Sequence, residues 1–122
     1  MQREAKIKAI NCQHFINGQF VDSKNQKTFE NINPATEEVL GTVAEGGKEE
    51  VDYAVAAARR ALKGPWKNTT LQERSKILRR IGDLILERQE ELAHLETLDT
   101  GKPFSLANSI DIPRAAYNFH FY

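Results

Sequence analysis

The sequence predicts an α/β chain in which short hairpins precede three helical segments. The spacing of apolar residues changes from two to about 3.6 after Gly46-Gly47. Asn17-Gly18 sits between two short apolar stretches, and helix start and stop signals bracket the later segments.

Each element follows from its local residues. In HFINGQFVDS, the tolerance of Asn17-Gly18 for positive φ suits a tight turn, so a hairpin is expected over residues 13–22. KTFENINPATEEVLGTVAEG continues with an alternating strand from Phe29 to Asn33, a turn at Pro34-Ala35-Thr36, and a second strand from Val39 to Ala44. Val51, Ala54, Val55, Ala58 and Leu62 then form one stripe of a helix over 48–63, which Gly64-Pro65 ends.

Thr70 and Glu73 can each satisfy a free backbone N–H at the start of a second helix. Ile77, Leu78, Ile81, Leu84, Ile85, Leu92 and Leu95 stay in phase to Leu98, leaving room for a joint near Arg88 to Glu90. Arg79, Arg80, Glu87 and Glu90 form its solvated face. Gly101 suits the left-handed turn that ends a helix, and Pro103 discourages continuation. Pro113 biases Ile112 away from helical angles. The third segment therefore either starts at Pro113, with 104–110 a separate short turn, or runs through; both remain open. Ile110, Arg114, Tyr117 and Phe121 share one of its faces, and Ile112, Ala115, Ala116 and Phe119 a second. No Gly, Asn or Pro follows this helix, so the chain reads as cut off.

Composition narrows the function classes. Lys plus Arg and Asp plus Glu both number 17, so the basic surplus needed to neutralise phosphates is missing and a nucleic-acid role is not expected. No run is long enough to span a bilayer and the start is unlike a signal peptide, so a cytoplasmic, membrane-free protein is expected. Cys12 is the single cysteine, which excludes an intrachain disulfide. With no neighbouring histidine it reads as an inert, buried or half-buried side chain. His14, His94 and His120 lie too far apart in sequence for ligand spacing and read as surface or packing residues.

Catalytic parts are sparse. Neither Gly-rich phosphate loop, G-x-G-x-x-G or G-x-x-x-x-G-K, is present, and no nucleophile elbow or local pairing of His with Ser or Cys is visible. Asp99 can organise the turn at Thr100-Gly101 or ligate a cation. Arg114 is a cation near a helix N-terminus, where the macrodipole is already positive. A carboxylate would resolve this placement, supplied either by Asp111 or by a ligand.

The ordered motifs FINGQFVDS, FENINPATEEVLGTVAEG, VDYAVAAARRAL, PWKNTTLQERSKILRRIGDLI and LETLDTGKP resemble the N-terminal part of the NAD(P)-dependent aldehyde dehydrogenase superfamily. The ending, LANSIDIPRAAYNFHFY, looks most like the subgroup that oxidises 2-hydroxymuconic and 2-aminomuconic semialdehydes in aromatic-ring breakdown. The resemblance implies an incomplete aldehyde dehydrogenase-like α/β fold. Residues 1–12 would be an N-terminal arm, and 13–122 a truncated part of the cofactor-binding and oligomerisation region. It implies an NAD-dependent, homo-oligomeric parent. There a thiolate attacks the aldehyde, hydride passes to the nicotinamide, and water releases the acid. The catalytic cysteine, glutamate base, oxyanion-stabilising asparagine and dinucleotide-binding turn would lie beyond Tyr122, leaving this chain inactive alone. Ile110 and Arg114 would face the substrate tunnel, with Arg114 holding the remote carboxylate of a semialdehyde. Asp99, with the carbonyls of Asn31 and Ile32, resembles a structural monovalent-cation site. A rival expectation is a stand-alone, non-catalytic oligomerisation module.

Overall fold

A computed structural model describes residues 11–122. Ten of the twelve residues of the expected arm thus lie outside the described residues. Strands β1 (His14–Ile16) and β2 (Gln19–Val21) form one antiparallel hairpin, and β3 (Thr28–Ile32) and β4 (Val39–Ala44) form another. In the first turn Asn17 and Gly18 both take positive φ, 55° and 77°, as the right-handed twist of a two-residue hairpin requires.

Strand β3 stops one residue before the expected Asn33. The Asn33 side-chain oxygen accepts the Ala35 N–H at 2.9 Å, and its carbonyl accepts the Glu37 N–H at 2.8 Å, so the residue is committed to the turn. Before the first hairpin, Cys12 lies along β4: its N–H donates to Thr42 O and its carbonyl accepts from Ala44 N. The Cys12 side chain is exposed, contrary to expectation. The pairing fixes its backbone, and no described residue covers its thiol.

Helix α1 (Lys48–Lys63) has the expected bounds. On its apolar stripe Val51, Val55 and Leu62 are exposed among the described residues, and Ala57 is the buried residue of the helix. After a 3₁₀ turn at Pro65–Asn68, α2 (Leu71–Glu87) begins with the predicted reciprocal cap. The Thr70 hydroxyl accepts from Glu73 N at 3.2 Å, and the Glu73 carboxylate accepts from Thr70 N at 2.7 Å. Arg88 breaks the long helical run, and α3 (Gln89–Thr100) follows to a left-handed Gly101 with φ 74°.

The last segment runs through rather than starting at Pro113. It comprises α4 (Phe104–Leu106), a π-helical turn (Ala107–Asp111) and α5 (Ile112–Phe121). Ile112 N donates to Ala107 O, five residues back. Proline causes this widening: Pro113 has no N–H to offer and its ring crowds the carbonyl four residues earlier, so the wider turn removes the clash without ending the helix.

Helices α2 and α5 pack closely, with Gly82 against Ala116 and His120. The buried apolar positions among the described residues are mostly small: Ala44, Ala57, Ala93, Ala107 and Ala116, with Ile16. Of the two stripes on the last segment, the second has Ala116 buried, Ile112 and Ala115 half-buried and Phe119 exposed, while Ile110, Arg114, Tyr117 and Phe121 of the first are all exposed.

Candidate functional site

The third helical segment and the turn before it position the candidate residues. Gly101 reverses the chain after α3, and a Cβ there would lie 3.1 Å from Pro34 Cγ. The tip of the β3–β4 hairpin therefore rests against this turn. Beside it, Asn31 Nδ2 donates to Asp99 Oδ1 at 2.7 Å, joining residues 68 positions apart. The strand pairing shifts between Asn31 and Ile32, the two residues whose carbonyls are the expected ligands. At the turn itself a different side chain is engaged. The Thr100 hydroxyl accepts from Lys102 N at 3.3 Å. An oxygen set with one carboxylate and main-chain carbonyls suits a hard cation of low charge. Among the described residues no cluster of three or more His, Cys, Asp or Glu could hold a metal.

Arg114 lies in the first turn of α5 and is exposed. Asp111, its intrachain candidate partner, is engaged elsewhere: Lys102 Nζ contacts Asp111 Oδ2 at 2.5 Å, with both side chains partly buried. Arg114 makes no ion pair or side-chain hydrogen bond with a described residue. Ile110, on the π turn one helical step earlier, is also exposed. The segment is anchored from behind, where Gln89 Nε2 donates to Asn108 O at 2.7 Å.

The structure also brings together a pair that sequence reasoning missed. His14 Nε2 lies 3.0 Å from Ser23 Oγ, and Ser23 is buried. The Ser23 hydroxyl donates its single proton to Glu45 O at 2.6 Å, so His14 must donate to Ser23. A general base would have to accept that proton, so this pair is a structural tie and not a nucleophile with its base. The remaining histidines pack or pair: His94 stacks on Phe104 at 4.3 Å, and His120 contacts Asp83 at 3.0 Å.

The glycine pair before α1 does not form a phosphate cradle. Gly46-Gly47 leads into α1, but the Glu50 carboxylate already accepts from Gly47 N at 2.7 Å and from Lys24 N at 2.9 Å. These backbone bonds hold the Glu50 carboxyl below its usual range. An anion at this helix start would meet the Glu50 carboxylate already in place.

Residues 20–122 match the model of the aldehyde dehydrogenase family. The chain is 56% identical over 106 residues to 2-hydroxymuconic semialdehyde dehydrogenase from Pseudomonas sp. (strain CF600), covering 87% of this chain and 22% of that protein. It is 51% identical over 109 residues to aldehyde dehydrogenase 1 of Tanacetum cinerariifolium, covering 88% of this chain and 22% of that protein. The NAD+ complex structure of aldehyde dehydrogenase from Bacillus cereus superposes with a TM-score of 0.90 at 46% identity, covering 93% of this chain and 23% of that chain. The chain thus spans about a fifth of the length of these relatives, matching the α/β class expected of an incomplete fold.

Proposed function

The chain belongs to the aldehyde dehydrogenase family, and from that premise we propose that it is the N-terminal segment of an NAD-dependent enzyme oxidising a carboxylate-bearing, muconic-type semialdehyde to the acid. The observation that carries this reading is Arg114: an exposed guanidinium whose intrachain rival, Asp111, is already paired with Lys102. Its planar fork matches a carboxylate in two parallel hydrogen bonds. Ile110, on the same open face, supplies an apolar wall beside it. A semialdehyde with a carboxylate at its far end would be held there and its aldehyde aimed away from the helix. The similarity to 2-hydroxymuconic semialdehyde dehydrogenase supports that substrate class.

NAD, when bound, accepts the hydride; residues other than those described here hold its phosphates. Asp99 with the carbonyls of Asn31 and Ile32 would hold a monovalent cation in a structural role. The enzyme is proposed to be cytoplasmic and to act in aromatic catabolism. It would be a homo-oligomer, with the β1–β2 hairpin, whose Phe15 and Phe20 stand exposed, covered in the assembly. Among the described residues no helix is long and apolar enough to cross a membrane. The isolated 122 residues would be inactive.

The test is Arg114→Ala in the complete enzyme. Loss of one charged hydrogen-bonded contact, roughly 1.5–3 kcal/mol, predicts a ten- to hundredfold fall in kcat/KM for 2-hydroxymuconic semialdehyde. Hexanal, which has no carboxylate, should lose little. An equal loss on both substrates would refute the assignment.

A further inference from the structure

The geometry points to a positioning residue for this site: we propose that Lys102 holds Asp111 away from Arg114 and so reserves the guanidinium for the carboxylate of the substrate. The inference rests on the reading of Arg114 given above. Asp111 immediately precedes α5 and stands three residues before Arg114, a spacing at which side chains on a helix meet. It is therefore placed to capture Arg114 from within the chain. Lys102 prevents this by contacting Asp111 Oδ2 at 2.5 Å, with the two side chains 39% and 30% exposed.

The surroundings favour this pairing. Lys102 follows the left-handed Gly101, and its own N–H is tied to the Thr100 hydroxyl. That fixed backbone sends the side chain across the α3–α4 turn to the end of the π turn. Arg114 lies one helical step further on and makes no ion pair with a described residue. Lys102 acts in a second way as well: by neutralising Asp111 it removes a negative charge that would repel an incoming carboxylate.

Lys102→Met tests this in the complete enzyme, because it keeps most of the stem and deletes the charge. If Asp111 then occupies Arg114 for roughly two thirds to nine tenths of the time, KM for 2-hydroxymuconic semialdehyde rises about three- to tenfold, since apparent affinity falls with the competent fraction. The kcat for that substrate and both constants for hexanal should stay near wild type. Lys102→Arg should keep the wild-type KM, and Lys102→Met with Asp111→Asn should restore it to within about twofold, because the competitor is gone. Should Lys102→Met not yield soluble enzyme, Asp111→Asn alone carries the test: KM stays within about twofold of wild type if Asp111 is only sequestered. An unchanged KM in Lys102→Met, an equal rise for hexanal, a failure of Asp111→Asn to rescue, or a large KM rise in Asp111→Asn alone overturns the proposal. Arg114→Ala separates the two readings. If it is selective for the carboxylate substrate while Lys102→Met is silent, only the role of Lys102 falls. If it is not selective, both fall.

Discussion

Gly82→Ala should loosen the α2–α5 pair even though alanine is the better helix former. Gly82 is the buried residue of α2, and a Cβ built on it would run into the His120 ring and lie 2.9 Å from the Ala116 carbonyl oxygen. The ring can swing away, but only by giving up the 3.0 Å contact of His120 with Asp83. The Ala116 carbonyl is backbone and moves only if the helices separate. Alanine in place of glycine gains about 1 kcal/mol in helix propensity. Overpacking costs about 1–3 kcal/mol, and the lost hydrogen bond about 0.5–1.5 kcal/mol. The costs win by roughly 0.5–3.5 kcal/mol, equivalent to a two- to few-hundredfold fall in protection of α2 and α5 amides against hydrogen exchange. Exchange of the complete enzyme, read by mass spectrometry on peptides covering α2 and α5, measures this directly. In a His120→Ala background the penalty should shrink, since only the Ala116 clash remains. Increased protection in Gly82→Ala would mean that propensity wins and that the close approach is not a tight one.

Two further outcomes follow from polar contacts. The Thr70 backbone and hydroxyl bonds hold the Glu73 carboxyl below its usual value of 4.5. A carboxyl depressed in the folded state stabilises it above the unfolded value, and that contribution disappears as pH falls through the folded one. Protection at the start of α2, taken relative to the intrinsic exchange rate at each pH, should therefore fall below about pH 4.5, and Glu73→Gln, which still caps the helix, should flatten that dependence; an unchanged acid limb would refute the cause. If Asp99 helps hold a monovalent cation, potassium should raise the melting temperature of the complete enzyme, and Asp99→Asn should reduce that rise. A rise of equal size in the variant would remove Asp99 from the site.

Local signals carried most of the elements because their causes are local. The turn at Asn17-Gly18, the Thr70–Glu73 cap, the left-handed Gly101 and the bounds of α1 each depend on residues within one or two turns of each other. Pro113 was visible as a disturbance, but whether it would end the helix or widen it depends on whether α2 and α3 hold the segment in place. Gln89 and the packing of Gly82 against α5 do so, and a π turn results. The site was only half legible for the same reason. Arg114 stood out as a cation in an apolar stripe, yet the decisive fact is the partner of Asp111, which comes from a turn nine residues earlier rather than from the helix itself. The Asn31–Asp99 and His14–Ser23 contacts are likewise products of the assembled fold. At α1 periodicity marks the helix, yet Val51, Val55 and Leu62 on its apolar face are exposed among the described residues, and Ala57 is the buried one. An apolar stripe records the face a helix buries against all its neighbours, and the described residues cover only part of that face. On the reading proposed above, the remaining neighbours belong to the rest of the enzyme, so that stripe and the exposed Tyr117 and Phe121 should become protected from solvent only in the complete protein.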